Sequence, residues 1–371
     1  MTKVGLIVNP IAGMGGRVGL KGTDGEAVLA RARRLHAPQE APARAVQALQ
    51  VLASAPGDLG ILTCPAAMGE DEARAAGLSP TVIVDPTDGH TTAADTRRAA
   101  LEMVRRGVDL LLFAGGDGTA RDILDAIGDS TPVLGIPAGV KIHSAVFGLT
   151  PREAGRAALA FLRGELTATR MAEVMDIDED AFRRGVAAAR LYGYLTVPDD
   201  TVCLQAAKDG GVEAGESAVR ALAAAVVAAM QPGVTYVMGP GSTIAAVMDE
   251  LALEATLLGV DVVRDGRLLT SDAAERQILE LVEGRDARIV LTVIGGQGHI
   301  LGRGNQQISP RVIRAVGLDN IIVAATRDKL ASIRGRPLLV DTGDPALDSD
   351  LAGYTRVITG PGEYAMHRIV G

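Results

Sequence analysis

A carboxylate framed by glycines stands at Gly115-Gly116-Asp117-Gly118-Thr119, entered from the apolar run Leu110-Leu111-Leu112-Phe113-Ala114 and followed by Ala120-Arg121-Asp122-Ile123-Leu124. A buried strand that turns through glycines into a helix leaves backbone N–H groups at the helix start, where a phosphate can bind. A carboxylate at the carboxyl end of a parallel strand stands where α/β ligands sit. There it can take a proton from an attacking hydroxyl or hold that hydroxyl in place. Asp117 or Thr119 as a plain helix cap would explain the glycines alone, but the full strand–turn–helix context favours chemistry. One strand later, Lys141 could bind phosphate, and His143 could act as an acid or base near neutral pH, or both could be loop residues.

Two further turns repeat the pattern. Tyr236-Val237-Met238 runs into Gly239-Pro240-Gly241-Ser242-Thr243, whose amides and two hydroxyls could cradle a phosphate unless Ser242 is an ordinary cap. Gly295-Gly296-Gln297-Gly298 and Gly302-Arg303-Gly304 follow a strong strand and suit a loop around a polar ligand. Arg303 would offer its planar fork to a phosphate. Arg17, Lys21 and Asp24 in the first glycine-rich loop could touch phosphate, ribose or metal, or could be solvated. Asp122 fits the positive end of a helix, and Asp176–Asp180 reads as a solvated turn.

These turns need a scaffold of buried strands. The chain has 371 residues, 47% hydrophobic but only 2% aromatic and without Trp, so its core must be Val, Ile, Leu and Ala, as in a parallel α/β sheet. Strands are expected at 4–8, 59–63, 81–84, 109–113 and 132–136, with helices over 41–53, 91–105 and from 119. Helix 151–162 then leads away, and strands 170–177 and 189–197 follow. A helix over 215–230 precedes strands 234–238, 287–294, 320–324 and 337–341, the last of them buried. This length predicts two domains, an N-terminal Rossmann-like parallel-sheet domain over 1–155 and a mixed α/β domain over 156–371. The last strand is allowed a return to the first domain.

The net charge of −8 disfavours broad nucleic-acid binding. No run of 18 apolar residues and no signal-peptide pattern occurs, so no membrane partner is expected and the location reads as cytoplasmic. Cys64 and Cys203 lack metal-ligand spacing and read as two separate reduced thiols.

Gly115–Thr119 resembles the signature of the superfamily that holds NAD kinases and diacylglycerol-type lipid kinases. Leu134-Gly135-Ile136-Pro137-Ala138-Gly139 is similar to its Leu-Gly-Ile-Asn-x-Gly turn, and Asn9-Pro10-Ile11-Ala12-Gly13 to the lipid kinases' Asn-Pro-x-Ser-Gly turn. Gly13–Gly25, Gly139–Phe147 and Gly295–Gly298 resemble the AcoX-like branch. The resemblance implies an NAD kinase-like fold and a homo-oligomeric, ATP- and Mg²⁺-dependent kinase whose partner is a small-molecule nucleotide, with NAD as the substrate. It implies catalysis by Asp117, with phosphate handled by Asn9, Gly13, Gly115, Gly116, Gly118, Thr119, Gly139, Lys141, His143, Gly241, Ser242, Thr243, Gly296, Gln297 and Arg303. No Asn lies between Asn9 and Asn305, so the Asn-Glu or Asn-Asp pair with which NAD kinases grip the dinucleotide is missing from the middle of the chain. A non-catalytic nucleotide-binding regulator, a sugar-phosphate isomerase-like enzyme and a lipid kinase are the alternatives.

Overall fold

The computed structural model describes residues 2–20, 22, 25–54, 59–83, 91–177, 189–200, 203–205 and 215–371. The chain divides into two compact units. The first comprises Met1–Met14, Gly22–Leu29 and Pro38–Ala207, and the second Gly15–Lys21, Ala30–Ala37 and Lys208–Gly371.

The first unit is built on five strands: β1 (Thr2–Val8), β2 (Leu59–Thr63), β3 (Pro80–Val82), β4 (Leu110–Gly115) and β5 (Val133–Pro137). Their order is β3-β2-β1-β4-β5 and every pairing is parallel. All six residues of β4 are buried, as a central strand covered on both faces requires. α1 (Glu26–Arg34) is divided between the two units, and α2 (Glu40–Ala53) lays Ala41, Ala45, Ala48, Leu49 and Leu52 into the core. α3 (Glu70–Ala75) is short, and α4 (Ala93–Arg105) starts where the Thr92 N–H donates to Asp95. α5 (Asp117–Ile127) follows β4 directly. α6 (Pro151–Leu162) opens on Pro151, with the Thr150 hydroxyl accepting from the Glu153 N–H.

β6 (Thr169–Ile177) and β7 (Ala189–Pro198) form an antiparallel pair. The pair belongs to the first unit, so the division falls after the 155/156 boundary expected from the sequence. Packing explains the difference. α6 rests on α2, where a Cβ on Gly155 would meet the Ala48 carbonyl at 2.5 Å, and Gly193 of β7 lies against Leu124 of α5.

In the second unit α7 (Glu216–Ala228) precedes β8 (Thr235–Met238) and α8 (Ser242–Glu250). Then follow β9 (Asp261–Arg264), β10 (Arg267–Thr270), α9 (Glu275–Val282), β11 (Ala287–Thr292), β12 (His299–Leu301), α10 (Pro310–Val316) and β13 (Ile321–Ala324). α11 (Arg327–Ser332), β14 (Leu338–Val340), α12 (Pro345–Leu351), β15 (Gly353–Gly360) and β16 (Glu363–Val370) complete it. The strands form one mixed sheet, in the order β10-β9-β8-β11-β13-β15-β16-β14-β12. β8, β11, β13 and β15 run parallel, and β15 turns antiparallel into β16. Alternation along β8 and β11 sends Val237, Ile289 and Leu291 into one apolar cluster and Tyr236, Met238 and Val290 into another. β14, β15 and β16 all lie inside this sheet, so the last strand does not return to the first.

Among the described residues no helix is long and apolar enough to cross a membrane. Cys64 and Cys203 are both unbridged.

Candidate functional site

The strand order of the first sheet places a switch point between β1 and β4: β1 leads outward to β2 and β3, and the chain then crosses back to β4 and β5. Ligands of open α/β sheets sit beyond the carboxyl ends of such strands. There the turn after β1, the turn after β4 and the turn after β5 pack on one another. The Asn9 N–H donates to the Ala114 carbonyl at 2.9 Å, and the Ala138 and Gly139 N–H groups both donate to the Gly115 carbonyl at 2.9 and 3.0 Å. Gly13, at φ +76°, lies against Ala138. Gly116 and Gly139 meet backbone to backbone, so a Cβ on Gly139 would stand 2.8 Å from the Gly116 Cα. Both glycines are therefore spoken for by loop packing, before any ligand is considered.

Asp117 does not cap its helix. Gly116 occupies the cap position in extended conformation, and Asp117 is the first helical residue. Its carboxylate reaches instead to the loop after β5. Oδ2 accepts from the His143 N–H at 2.8 Å and lies 3.1 Å from His143 Nδ1. Oδ1 accepts from the Ser144 N–H at 3.0 Å and stands 2.7 Å from the Ser144 hydroxyl. Ser144 Oγ also accepts from the Met175 N–H at 3.0 Å and so links Asp117 to β6. The Thr119 hydroxyl accepts from Asn9 Nδ2 at 3.1 Å, and Asn9 Oδ1 accepts from the Ile11 N–H. Gly118 lies in the first turn of α5, with its N–H among those that have no partner inside the helix.

The loop that carries Lys141, His143 and Ser144 is fixed by its far end. Phe147 packs edge-on to Phe113 with centroids 5.3 Å apart, over Gly135, where a Cβ would collide with the Phe147 ring. Gly135 and Val146–Gly148 exchange backbone bonds, and the Ala145 N–H donates to Glu173. Lys141 lies half-buried in the same loop. Arg44, buried on α2, donates from Nη1 to the Pro137 carbonyl at 3.1 Å and steadies the end of β5. Asp122 pairs with Arg97 at 2.6 Å. Burial pushes its carboxyl up against the pull of that guanidinium.

The second unit gathers another set of groups at the carboxyl ends of β8, β11 and β13. Gly241, at φ +115°, precedes α8, with Ser242 exposed and Thr243 buried at the helix start. Lys329 of α11 donates from Nζ to the Thr243 hydroxyl at 2.8 Å and to Thr292, at the end of β11, at 3.3 Å. The glycine-rich loop after β11 is tied down. The Gly296 N–H donates to the Ser332 hydroxyl at 3.1 Å, Arg336 donates to the Gly296 carbonyl, and Gln297 is buried. Arg303 departs from expectation. Its guanidinium is buried against Asp341, 3.6 Å away with 2% side-chain exposure, and it braces the loop from within. Of the first glycine-rich loop, the Arg17 carbonyl accepts from the Glu275 N–H, whereas Lys21 and Asp24 lie outside the described residues.

The ATP-NAD kinase N-terminal domain model matches residues 4–166, and the ATP-NAD kinase C-terminal domain model matches residues 231–369. The chain belongs to the NAD kinase-like superfamily. No curated protein matches it at a significant level. Among solved structures it is similar to "A putative diacylglycerol kinase from Bacillus anthracis str. Sterne", with 21% identity and a TM-score of 0.24 over 47% of this chain. The match spans 45% of that protein, under half its length.

In this NAD kinase-like chain the sequence singled out Asn9, Gly13, Gly115–Thr119, Gly139, Lys141 and His143, and the first unit brings them to one sheet edge. Reading from sequence missed Ser144 and Lys329. A polar residue beside His143 was a signal for the first. For the second it was a Thr-initiated helix straight after a buried strand, Thr326-Arg327-Asp328-Lys329. Among the described residues no group of three or more His, Cys, Asp or Glu side chains could hold a metal ion. These residues thus build no metal cage of their own. Mg²⁺ often rides on nucleotide phosphates with one or two carboxylates.

Proposed function

We propose that this protein is an ATP-dependent phosphotransferase of the AcoX-like branch that phosphorylates a hydroxyl of NAD or a related nucleotide. The observation that carries the reading is the buried Asp117 carboxylate, held by His143 and Ser144 at the switch point beside the open start of α5. Phosphoryl transfer is mainly a matter of positioning and charge stabilisation, and a rigid carboxylate–imidazole pair beside free helix amides supplies both. The N–H groups of Gly116–Thr119 are the first unit's phosphate donors in this reading. In the second unit the Gly241–Thr243 turn would hold a phosphate, with Lys329 supplying the positive charge expected of Arg303.

The reading includes a homo-oligomer in the cytoplasm. The exposed Tyr354, Tyr364 and Met366 of the β15–β16 hairpin are the apolar surface such an assembly would cover. Thermal denaturation with ATP, NAD, NADP and sugar phosphates separates the rivals. A nucleotide at a hundredfold excess over its dissociation constant should stabilise the fold by about 2.7 kcal/mol. Stabilisation by sugar phosphates alone would favour the isomerase-like alternative, and nucleotide binding without any product would favour the regulator.

A further inference from the structure

We infer that His143, through Nε2, is the group that takes the acceptor's proton, and that Asp117 is a positioning residue acting through it. This deepens the phosphotransferase reading and rests on it.

A carboxylate has about four lone-pair directions to offer. Asp117 turns both oxygens to the 143–144 segment: two backbone N–H groups and His143 Nδ1 lie at 2.8 to 3.1 Å, and the Ser144 hydroxyl, which also faces the Met175 carbonyl at 2.8 Å, lies at 2.7 Å. Its side chain is 5% exposed, so an incoming hydroxyl would meet no open oxygen. A group whose lone pairs are filled is well placed and poorly free to accept a proton.

The same bonds fix the imidazole. Two backbone donors at the carboxylate demand an acceptor there, so Nδ1 must be the proton donor of the His143–Asp117 contact. In neutral imidazole the lone pair then belongs to Nε2. Among the described residues Nε2 makes no hydrogen bond, while the side chain is 16% exposed. One nitrogen is thus anchored and the other presents a basic lone pair at the sheet edge. A base oriented by a third group in this way is a recurrent arrangement for activating a hydroxyl.

Proton and electrons then balance. The acceptor's O–H proton passes to Nε2, and the oxygen's electron pair bonds the γ-phosphorus of ATP. The bond from that phosphorus to the bridging β,γ oxygen breaks, and ADP leaves with its electron pair. The imidazolium keeps its Nδ1–H on Asp117 and later loses the Nε2 proton to solvent.

Nitrogen NMR of the full chain with ¹⁵N-labelled histidine tests the geometry without turnover. His143 is assigned by its loss in His143→Gln, and at neutral pH it should show protonated Nδ1 and bare Nε2. The opposite tautomer overturns the inference. Turnover with Mg-ATP and NAD tests the chemistry. His143→Gly should lose about a hundred- to ten-thousandfold in kcat with KM little changed, and added imidazole should restore part of it. Asp117→Asn should also lose kcat but gain nothing from imidazole. Wild-type kcat in His143→Gly overturns the inference alone. A wild-type enzyme inert on Mg-ATP with every nucleotide acceptor overturns the phosphotransferase reading beneath it.

Discussion

At the scale of single residues, surroundings decide what each charged group can do. Arg303 and Lys329 are both cations near glycine turns, yet Arg303 is buried against Asp341 while Lys329 reaches two threonine hydroxyls at a strand edge. Lys329→Met should therefore weaken ATP or NAD binding by about tenfold or more, the worth of one charge-assisted contact, as read by calorimetry. An unchanged affinity for both would remove Lys329 from the site. Cys64 gives a pH prediction. Burial raises its thiol to about 12 from 9.0, so between those values the unfolded chain gives up a proton that the folded chain keeps. Stability contributed by this group is then complete below pH 9.0 and lost as pH climbs toward 12. Denaturant melts from pH 8 to 11 should show the fall, and Cys64→Ala should flatten it.

Among elements, the loop after β5 matters most, because it delivers His143 and Ser144 to Asp117. Its anchor is Phe147 over Gly135, so Gly135→Ala should push the ring away. The expected cost is about 1–3 kcal/mol of stability with turnover falling further than a melt alone would suggest. Intact turnover in a folded Gly135→Ala protein would show that the anchor is dispensable. β4 and its Gly-Gly-Asp-Gly-Thr turn were legible in the sequence because a run of apolar residues followed by glycines has few other solutions. β15 and β16 were not. Their residues alternate irregularly between buried and exposed, with Tyr354 and Met366 turned outward, so neither a period of two nor an apolar run marks them. The Asp117–Ser144 contact was equally invisible, since it joins residues 27 positions apart through a turn whose path is set by Phe147. For Arg303 residue type suggested a phosphate ligand, and only the placement of Asp341 on the neighbouring strand end gave it a structural partner.

For the whole molecule, the net charge of −8 argues for local rather than broad anion binding. Duplex DNA should show no retardation by the protein at about 0.15 M salt in a mobility-shift assay. In the proposed reading a small phosphorylated ligand would escape that repulsion, because helix amides and Lys329 would act at contact range. The most direct measurement is transfer of label from γ-³²P-ATP to NAD by the full chain, beside Asp117→Asn. Label should appear in a phosphorylated dinucleotide with the wild type and fall by about a hundredfold or more with the variant, a larger loss than its lowered melting temperature explains, since the Asn amide NH2 must face a backbone donor. Equal transfer by both proteins would contradict the account.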